Sequence, residues 1–172
     1  MKKWLRGQRH FISIFFCLAF IHACQANEST LNPFLNSIKN SLQHSTSTQT
    51  AIVKIIGVQN AEAQIFLNKK TIVGYPLDED LKPLTKAASK QISILLLDAK
   101  NYSNVRTRCL NNMMNGIRFS KGNKVVEVIV SLPCNQIIIA LNDSNNITKW
   151  GGTLTNTASL KITNLLLTSN RH

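Results

Sequence analysis

Residues 116–141 decide the fold, and they read GIRFSKGNKVVEVIVSLPCNQIIIAL. Apolar residues alternate with polar ones over 116–119 and occupy every second position over 124–132, which is typical of strands with one buried face. The intervening 122–123, Gly-Asn, are turn residues. Residues 135–141 are almost continuously apolar, which indicates a central strand covered on both faces. The stretch therefore predicts a hairpin followed by a third, central strand.

Two cysteines belong to this region, Cys109 ahead of the hairpin and Cys134 after its second strand. A four-residue loop over 120–123 would place them directly opposite each other. A two-residue loop over 122–123 would make them diagonal neighbours, about 7 to 8 Å apart at Cα, which is marginal for a disulfide. A disulfide here would stabilise the fold by roughly 3 to 4 kcal/mol. Their separation is unlike a Cys-x-x-Cys redox pair, so we expect a structural disulfide.

Outward from this stretch, further elements follow the same signals. Strands are expected over 51–58, 63–67 and 71–75. Amphipathic helices are expected over about 32–43, with Pro33 near the start, and from the acidic residues 78–80 and Pro83 onward through Leu96. A closing helix is expected over about 156–168, capped by Thr155 or Asn156. The spacing of Lys82, Lys86 and Lys90 gives the second helix a basic stripe.

The element order of strands, helix, strands and helix predicts an α+β fold. We expect one domain over 51–172, built as an antiparallel sheet with helices packed on one face and one disulfide. Residues 27–50 are rich in Asn, Ser, Thr and Gln and read as a polar linker that contains the first short helix. That helix either packs on the domain or lies on a membrane.

Residues 1–26 have the layout of a secretory signal peptide. Lys2, Lys3, Arg6 and Arg9 precede an apolar run over 11–21, and small residues follow. The run is too short for a spanning helix, which needs roughly 20 apolar residues. Cleavage after Ala26 would release a periplasmic or secreted protein. Residues 21–24, Ile-His-Ala-Cys, also resemble a bacterial lipobox, so Cys24 is an alternative site of lipidation that would tether the protein to a membrane.

The 172-residue chain holds 20 Lys and Arg against 8 Asp and Glu. Removal of the leader leaves 16 against 8, a net charge of +8. An exported protein does not meet nucleic acid, so we expect a protein or an anionic envelope component as the partner. The sequence carries no signal for an oligomeric state.

No sequence motif for nucleophilic catalysis, phosphate binding or dinucleotide binding is present. Because His44 and His172 lie far from the cysteines in sequence, a four-ligand metal site cannot be assembled, and no metal or other cofactor is expected. Arg118 and Trp150 are the candidates for ligand contact. The favoured function is a non-catalytic binding module, and the alternative is an enzyme with a non-obvious site built from Arg118, Asp98 and Glu127.

The order of several short motifs resembles a family of small bacterial proteins with no established activity. The motifs cover residues 95–98, 102, 109–110, 116–119, 134–137 and 151–152. In that family a cysteine, a Gly-Ile-Arg-Phe strand and a Cys-Phe-x-Cys motif follow one another, whereas this chain has Ser131 and Cys134 with Leu132 and Pro133 between them. The resemblance implies the α+β fold and the pairing of Cys109 with Cys134. It implies no reaction.

Overall fold

The structure, a computed structural model, describes residues 26–54, 71–105, 113–132, 134–144 and 146–169. Within these residues the helices are α1 (Ala26–Gln43), α2 (Lys86–Leu97) and α3 (Asn156–Ser169). The strands are β1 (Ser47–Lys54), β2 (Thr71–Ile72), β3 (Tyr75–Pro76), β4 (Lys82–Pro83), β5 (Tyr102–Ser103), β6 (Met113–Lys121), β7 (Lys124–Ser131), β8 (Gln136–Asp143) and β9 (Asn146–Leu154). The predicted signal peptide and Cys24 lie outside the described residues.

Seven of these strands form one sheet in the order β4-β1-β6-β7-β8-β9-β5. Every neighbouring pair in it is antiparallel. The four long strands β6 to β9 follow one another as a meander, and β1 is added beside β6. The predicted α+β class with an antiparallel sheet is confirmed, and the apolar strand β8 lies between two neighbours, as its sequence indicates.

The hairpin of β6 and β7 closes through a two-residue turn at 122–123, because Lys121 faces Lys124. The four-residue loop is therefore wrong, and with it the register that would set the two cysteines directly opposite. β7 ends at Ser131, and Cys134 lies in the turn before β8, where Asn135 has a φ of 52°. Strand register consequently does not extend to Cys134. Cys109 is outside the described residues, so the disulfide stays a prediction.

The three helices share one apolar cluster with one face of the sheet. β6, β7 and β8 supply alternate residues to it, among them Ile117, Phe119, Val126, Val128 and Ile139. The helices add buried residues at helical spacing, which are Leu31, Phe34, Leu35, Ile38 and Leu42 from α1, Ala88, Ile92 and Leu96 from α2, and Ala158, Ile162 and Leu166 from α3. The predicted amphipathic faces are therefore the buried ones.

Among the described residues, the segment 71–81 covers the opposite face of the sheet, and no helix packs there. Ile72 and Val73 are buried there against Val53 and Ile129. The segment is not the single strand expected over 71–75. β2 and β3 pair with each other, and the chain reverses at Val73 and Gly74, whose φ angles are 54° and 85°. A positive φ is strained for a β-branched residue, so local propensity gave no sign of this turn.

Residues 27–50 do not form a linker. α1 spans Ala26–Gln43, and β1 begins at Ser47 and pairs with β6 along its whole length. Ile38 and Leu42 are 0% and 2% exposed. The polar composition misleads because only the buried side of α1 is apolar and the side facing water is made of Asn, Ser and Lys. The expected strand over 51–58 starts earlier than predicted, and the one over 63–67 lies outside the described residues.

α2 begins later than its acidic residues and proline indicate. Thr85 is its N-cap, and the Thr85 side chain accepts a hydrogen bond from the backbone N–H of Ala88. Lys82 and Pro83 form β4, and Lys82 pairs with Glu79 at 2.7 Å. The basic stripe of the helix is therefore reduced to Lys86 and Lys90. α3 matches its prediction, and the Thr155 hydroxyl accepts from the N–H of Ala158.

Candidate functional site

The polar pair Arg118 and Glu127 lies on the sheet face that the segment 71–81 covers. The two residues face each other across β6 and β7. Arg118 Nε lies 2.8 Å and Nη2 lies 2.6 Å from Glu127 Oε1. Nη2 also donates to the carbonyl of Thr71, and the N–H of Val73 donates to Glu127 Oε2 at 2.6 Å. The pair therefore pins the β2–β3 hairpin onto the sheet.

Burial raises the pKa of the Glu127 carboxyl, because the ionised form is removed from water. The positive charge of Arg118 and the hydrogen bond from Val73 act in the opposite direction, as does Lys149 on β9. Perturbed carboxyl groups often mark active sites, but buried structural pairs perturb them as well. The Glu127 carboxylate contacts Arg118 and the backbone of Val73, and both contacts hold the β2–β3 hairpin on the sheet, so we interpret the pair as structural.

Trp150, the other predicted ligand contact, packs inside the fold. Its ring stacks with Phe34 at a centroid distance of 6.5 Å and meets Tyr102 edge-on at 5.2 Å. Trp150 is 7% exposed, and its Nε1 is buried with no hydrogen-bond partner among the described residues. Tyr102 is fixed by a 2.6 Å hydrogen bond to the Leu96 carbonyl, and burial raises the pKa of its hydroxyl. Trp150 therefore joins α1 and β5 to the sheet.

A large recess opens between α1 and α2. The first residues of β1 close it at one end. It has a volume of about 1060 Å³, at the upper limit of the range common for small-molecule sites. We call it the α1–α2 groove. It is lined by Leu35, Asn36, Lys39, Leu42, Gln43, His44, Ser45, Thr46, Ser47, Thr48, Pro83, Leu84, Lys86, Ser89, Lys90, Ser93, Ile94, Leu97 and Asp98. Neither Arg118 nor Trp150 is among these residues.

A row of hydroxyl groups lies along the floor of the α1–α2 groove. The Thr48 and Ser89 hydroxyl oxygens are 2.7 Å apart, and Ser45 Oγ lies 3.3 Å from Thr48 Oγ1. Ser93 donates to the carbonyls of Leu42 and Ser89, at 3.1 and 2.9 Å. These contacts hold α2 against α1 and β1. They also set the register of α2 relative to both elements.

Charge in the α1–α2 groove is predominantly positive. Lys39, Lys86 and Lys90 line it, each exposed, and Asp98 is the single carboxylate among the described residues of its lining. The Asp98 carboxylate accepts a 3.0 Å hydrogen bond from the Lys100 N–H, which caps the short turn Ala99–Asn101. The groove therefore offers cationic and hydroxyl groups beside apolar ones.

The three residues of the enzyme hypothesis do not meet in one site. Arg118 and Glu127 lie together beneath the hairpin, whereas Asp98 lies at the end of α2 on the helix face of the sheet. No group of three His, Cys, Asp or Glu residues is placed to hold a metal ion within the described ranges. In the same part of the chain, no helix is long and apolar enough to cross a membrane.

Sequence reasoning found Lys86 and Lys90 but missed Lys39 and the hydroxyl groups near Ser45. Lys39 follows Leu35 by four residues and precedes Leu42 by three, so it stands at the edge of the buried face of α1. That position is readable once α1 is known to pack on the domain. Which helix lies beside α1 depends on the tertiary structure. The chain matches no protein-family model, no curated protein and no solved structure.

Proposed function

We propose that this chain is an exported, non-catalytic binding module that holds an anionic component of the cell envelope in the α1–α2 groove. The observation that carries the proposal is the groove itself, a recess of about 1060 Å³ whose lining has three lysines and one carboxylate. Binding sites of this kind combine apolar walls with a few polar groups. The net charge of +8 expected after removal of the leader acts in the same direction.

A pair of double variants tests the role of the groove. Lys86→Glu/Lys90→Glu reverses two exposed charges inside it, and Lys100→Glu/Lys161→Glu makes the same change of net charge at exposed lysines that do not line it. Binding is measured by co-sedimentation with phosphatidylcholine vesicles that contain or lack phosphatidylglycerol. We expect the groove variant to lose binding to the anionic vesicles and the control variant to keep most of it. Equal losses in both variants would show that the two lysines of the groove do not specifically carry the binding.

Export is part of this proposal and rests on the leader-like residues 1–26. Cleavage after Ala26 would free the protein in the periplasm or the medium. Lipidation of Cys24 would instead hold the module at a bacterial membrane. The intact mass of the native protein separates the two processing routes, because a chain beginning at Asn27 carries no acyl group and a chain beginning at Cys24 does.

We also propose that Cys109 and Cys134 form a structural disulfide. Cys134 is 2% exposed, in the turn that joins two central strands. A disulfide at this place would suit an oxidising compartment. Alkylation before and after reduction tests it, and two thiols that react without reduction would refute the pairing.

A further inference from the structure

The α1–α2 groove has two chemically different ends. The Thr48 to Ser89 contact and the Ser93 to Leu42 hydrogen bond set the order of residues along it. Residue numbers on the two sides of the groove therefore run in opposite directions. They rise along α2 from Ser89 to Ser93, and they fall on the facing side from Thr48 in β1 to Leu42 in α1. Residues at the start of α2 therefore lie near 45–48, and residues at its end lie near Leu35.

One end is cationic and rich in hydroxyl groups, because Lys86 and Lys90 lie there with Ser45 and Thr48. The other end is apolar, with Leu35, Ile94 and Leu97 in its lining. Ile94 is 59% exposed, which is high for a large apolar side chain beside a recess. Lys39 and Asp98 also lie toward the apolar end, where their opposite charges offset each other, so the net positive charge that attracts a negative group is at the end with Lys86 and Lys90.

We infer that the ligand of the groove is an anionic amphiphile with one hydrocarbon chain, such as a long-chain carboxylate or a lysophospholipid. The head group would lie at Lys86, Lys90 and the hydroxyl groups, and the chain would cover Ile94 and Leu97. This inference rests on the proposed function and narrows its ligand to a chemical class. An acidic peptide would need a net positive charge along its whole length, whereas here the net positive charge is confined to the end with Lys86 and Lys90.

Equilibrium binding of dansyl-labelled undecanoic acid tests the inference. We expect palmitate to displace the probe at far lower concentration than acetate does, because only palmitate has a chain to bury. Lys86→Gln/Lys90→Gln should weaken probe binding by about fivefold or more, a factor typical of exposed charge pairs. Lys161→Gln should leave the affinity for the probe unchanged. Methyl palmitate, which lacks the charged head group, should bind wild type and the double variant with equal affinity.

The control at Lys161 has a second purpose. A smaller recess between α2 and α3 is lined by Ile94, Leu165 and Lys161, and Ile94 belongs to both recesses. If Lys161→Gln weakens the probe and Lys86→Gln/Lys90→Gln does not, the amphiphile binds between α2 and α3 and the inference is wrong. Circular dichroism confirms that each variant is folded.

Failure of this inference is distinguishable from failure of the proposed function. If acetate displaces the probe as well as palmitate does, or the probe does not bind while anionic vesicles still bind through Lys86 and Lys90, the single-chain ligand is refuted and the binding module stands. If neither the probe nor the vesicles depend on those two lysines, both proposals are refuted.

Discussion

At the scale of single residues, the Arg118 to Glu127 pair makes the sharpest stability prediction. The Glu127 side chain is 2% exposed and that of Arg118 is 14% exposed. Arg118→Met leaves the carboxylate without its cationic partner, and we expect a loss of about 3 kcal/mol in the free energy of unfolding. Arg118→Met combined with Glu127→Gln should recover part of that loss. Urea denaturation at neutral pH measures both variants, and a single variant as stable as wild type would contradict the role given to the pair.

The same carboxyl group should make stability depend on pH. Because burial raises the pKa of Glu127, the folded protein binds its proton more tightly than the unfolded chain does. The contribution of Glu127 to the free energy of unfolding therefore falls as the pH rises from the ordinary glutamate pKa, about 4.3, through the raised folded value. Glu127→Gln removes this component. Urea titrations of both proteins across that range test the sign, which is wrong if the wild type gains stability over the variant with rising pH.

Two adjacent glycines in β9 provide a matched pair. A Cβ at Gly152 would overlap Trp150 Cη2, whereas a Cβ at Gly151 would meet nothing closer than the Ile137 carbonyl oxygen at 3.9 Å. The Trp150 ring is held by Phe34 and Tyr102 and has little room to move. We expect Gly152→Ala to lower the free energy of unfolding by about 1 to 3 kcal/mol. Gly151→Ala should be neutral or slightly stabilising in the same denaturant titration.

At the scale of elements, the role of α1 as part of the core can be tested by truncation of one side chain. Ile38 is fully buried between α1 and the sheet. Ile38→Ala should destabilise the protein by about 2 to 5 kcal/mol, whereas the exposed Asn36→Ala should stay within about 0.5 kcal/mol of wild type. Thermal unfolding of both variants is the measurement. A neutral Ile38→Ala would return α1 to the status of a linker helix.

The elements that sequence reasoning predicted well are those whose signal is local. The alternation in β6 and β7, the apolar run of β8 and the spacing of α3 each report burial directly. The errors arise where tertiary contacts decide. Val73 has a positive φ, and its N–H donates to the distant Glu127, a contact that a strand pattern cannot show. The sequence does not predict β9, since the residues from Asn146 to Lys149 are exposed and the glycines of the strand are typical of turns.

At the scale of the whole molecule, the three helices pack on one face of the sheet and the β2–β3 hairpin packs on the other. On the face of the β2–β3 hairpin, Arg118 and Glu127 bind each other and the hairpin backbone, so this charged pair stabilises the fold. The helix face carries the α1–α2 groove, where Lys86 and Lys90 are exposed. The candidate site could be predicted from sequence only in part, since Lys86, Lys90 and Ile94 are visible in α2 but the sequence does not show that α1 and the start of β1 lie opposite them. Ligand binding is therefore expected on the helix face.

The most direct test of this account is amide chemical-shift mapping of the labelled protein during titration with palmitate. The account predicts shifts confined to the groove, in the second half of α1, over 44–48 and along α2, with the largest near Lys86 and Lys90. Residues of the hairpin face, such as Val73 and Arg118, should not shift. Shifts confined to α3 or to the hairpin face, or no shifts at all, would contradict the assignment of the α1–α2 groove as the binding site.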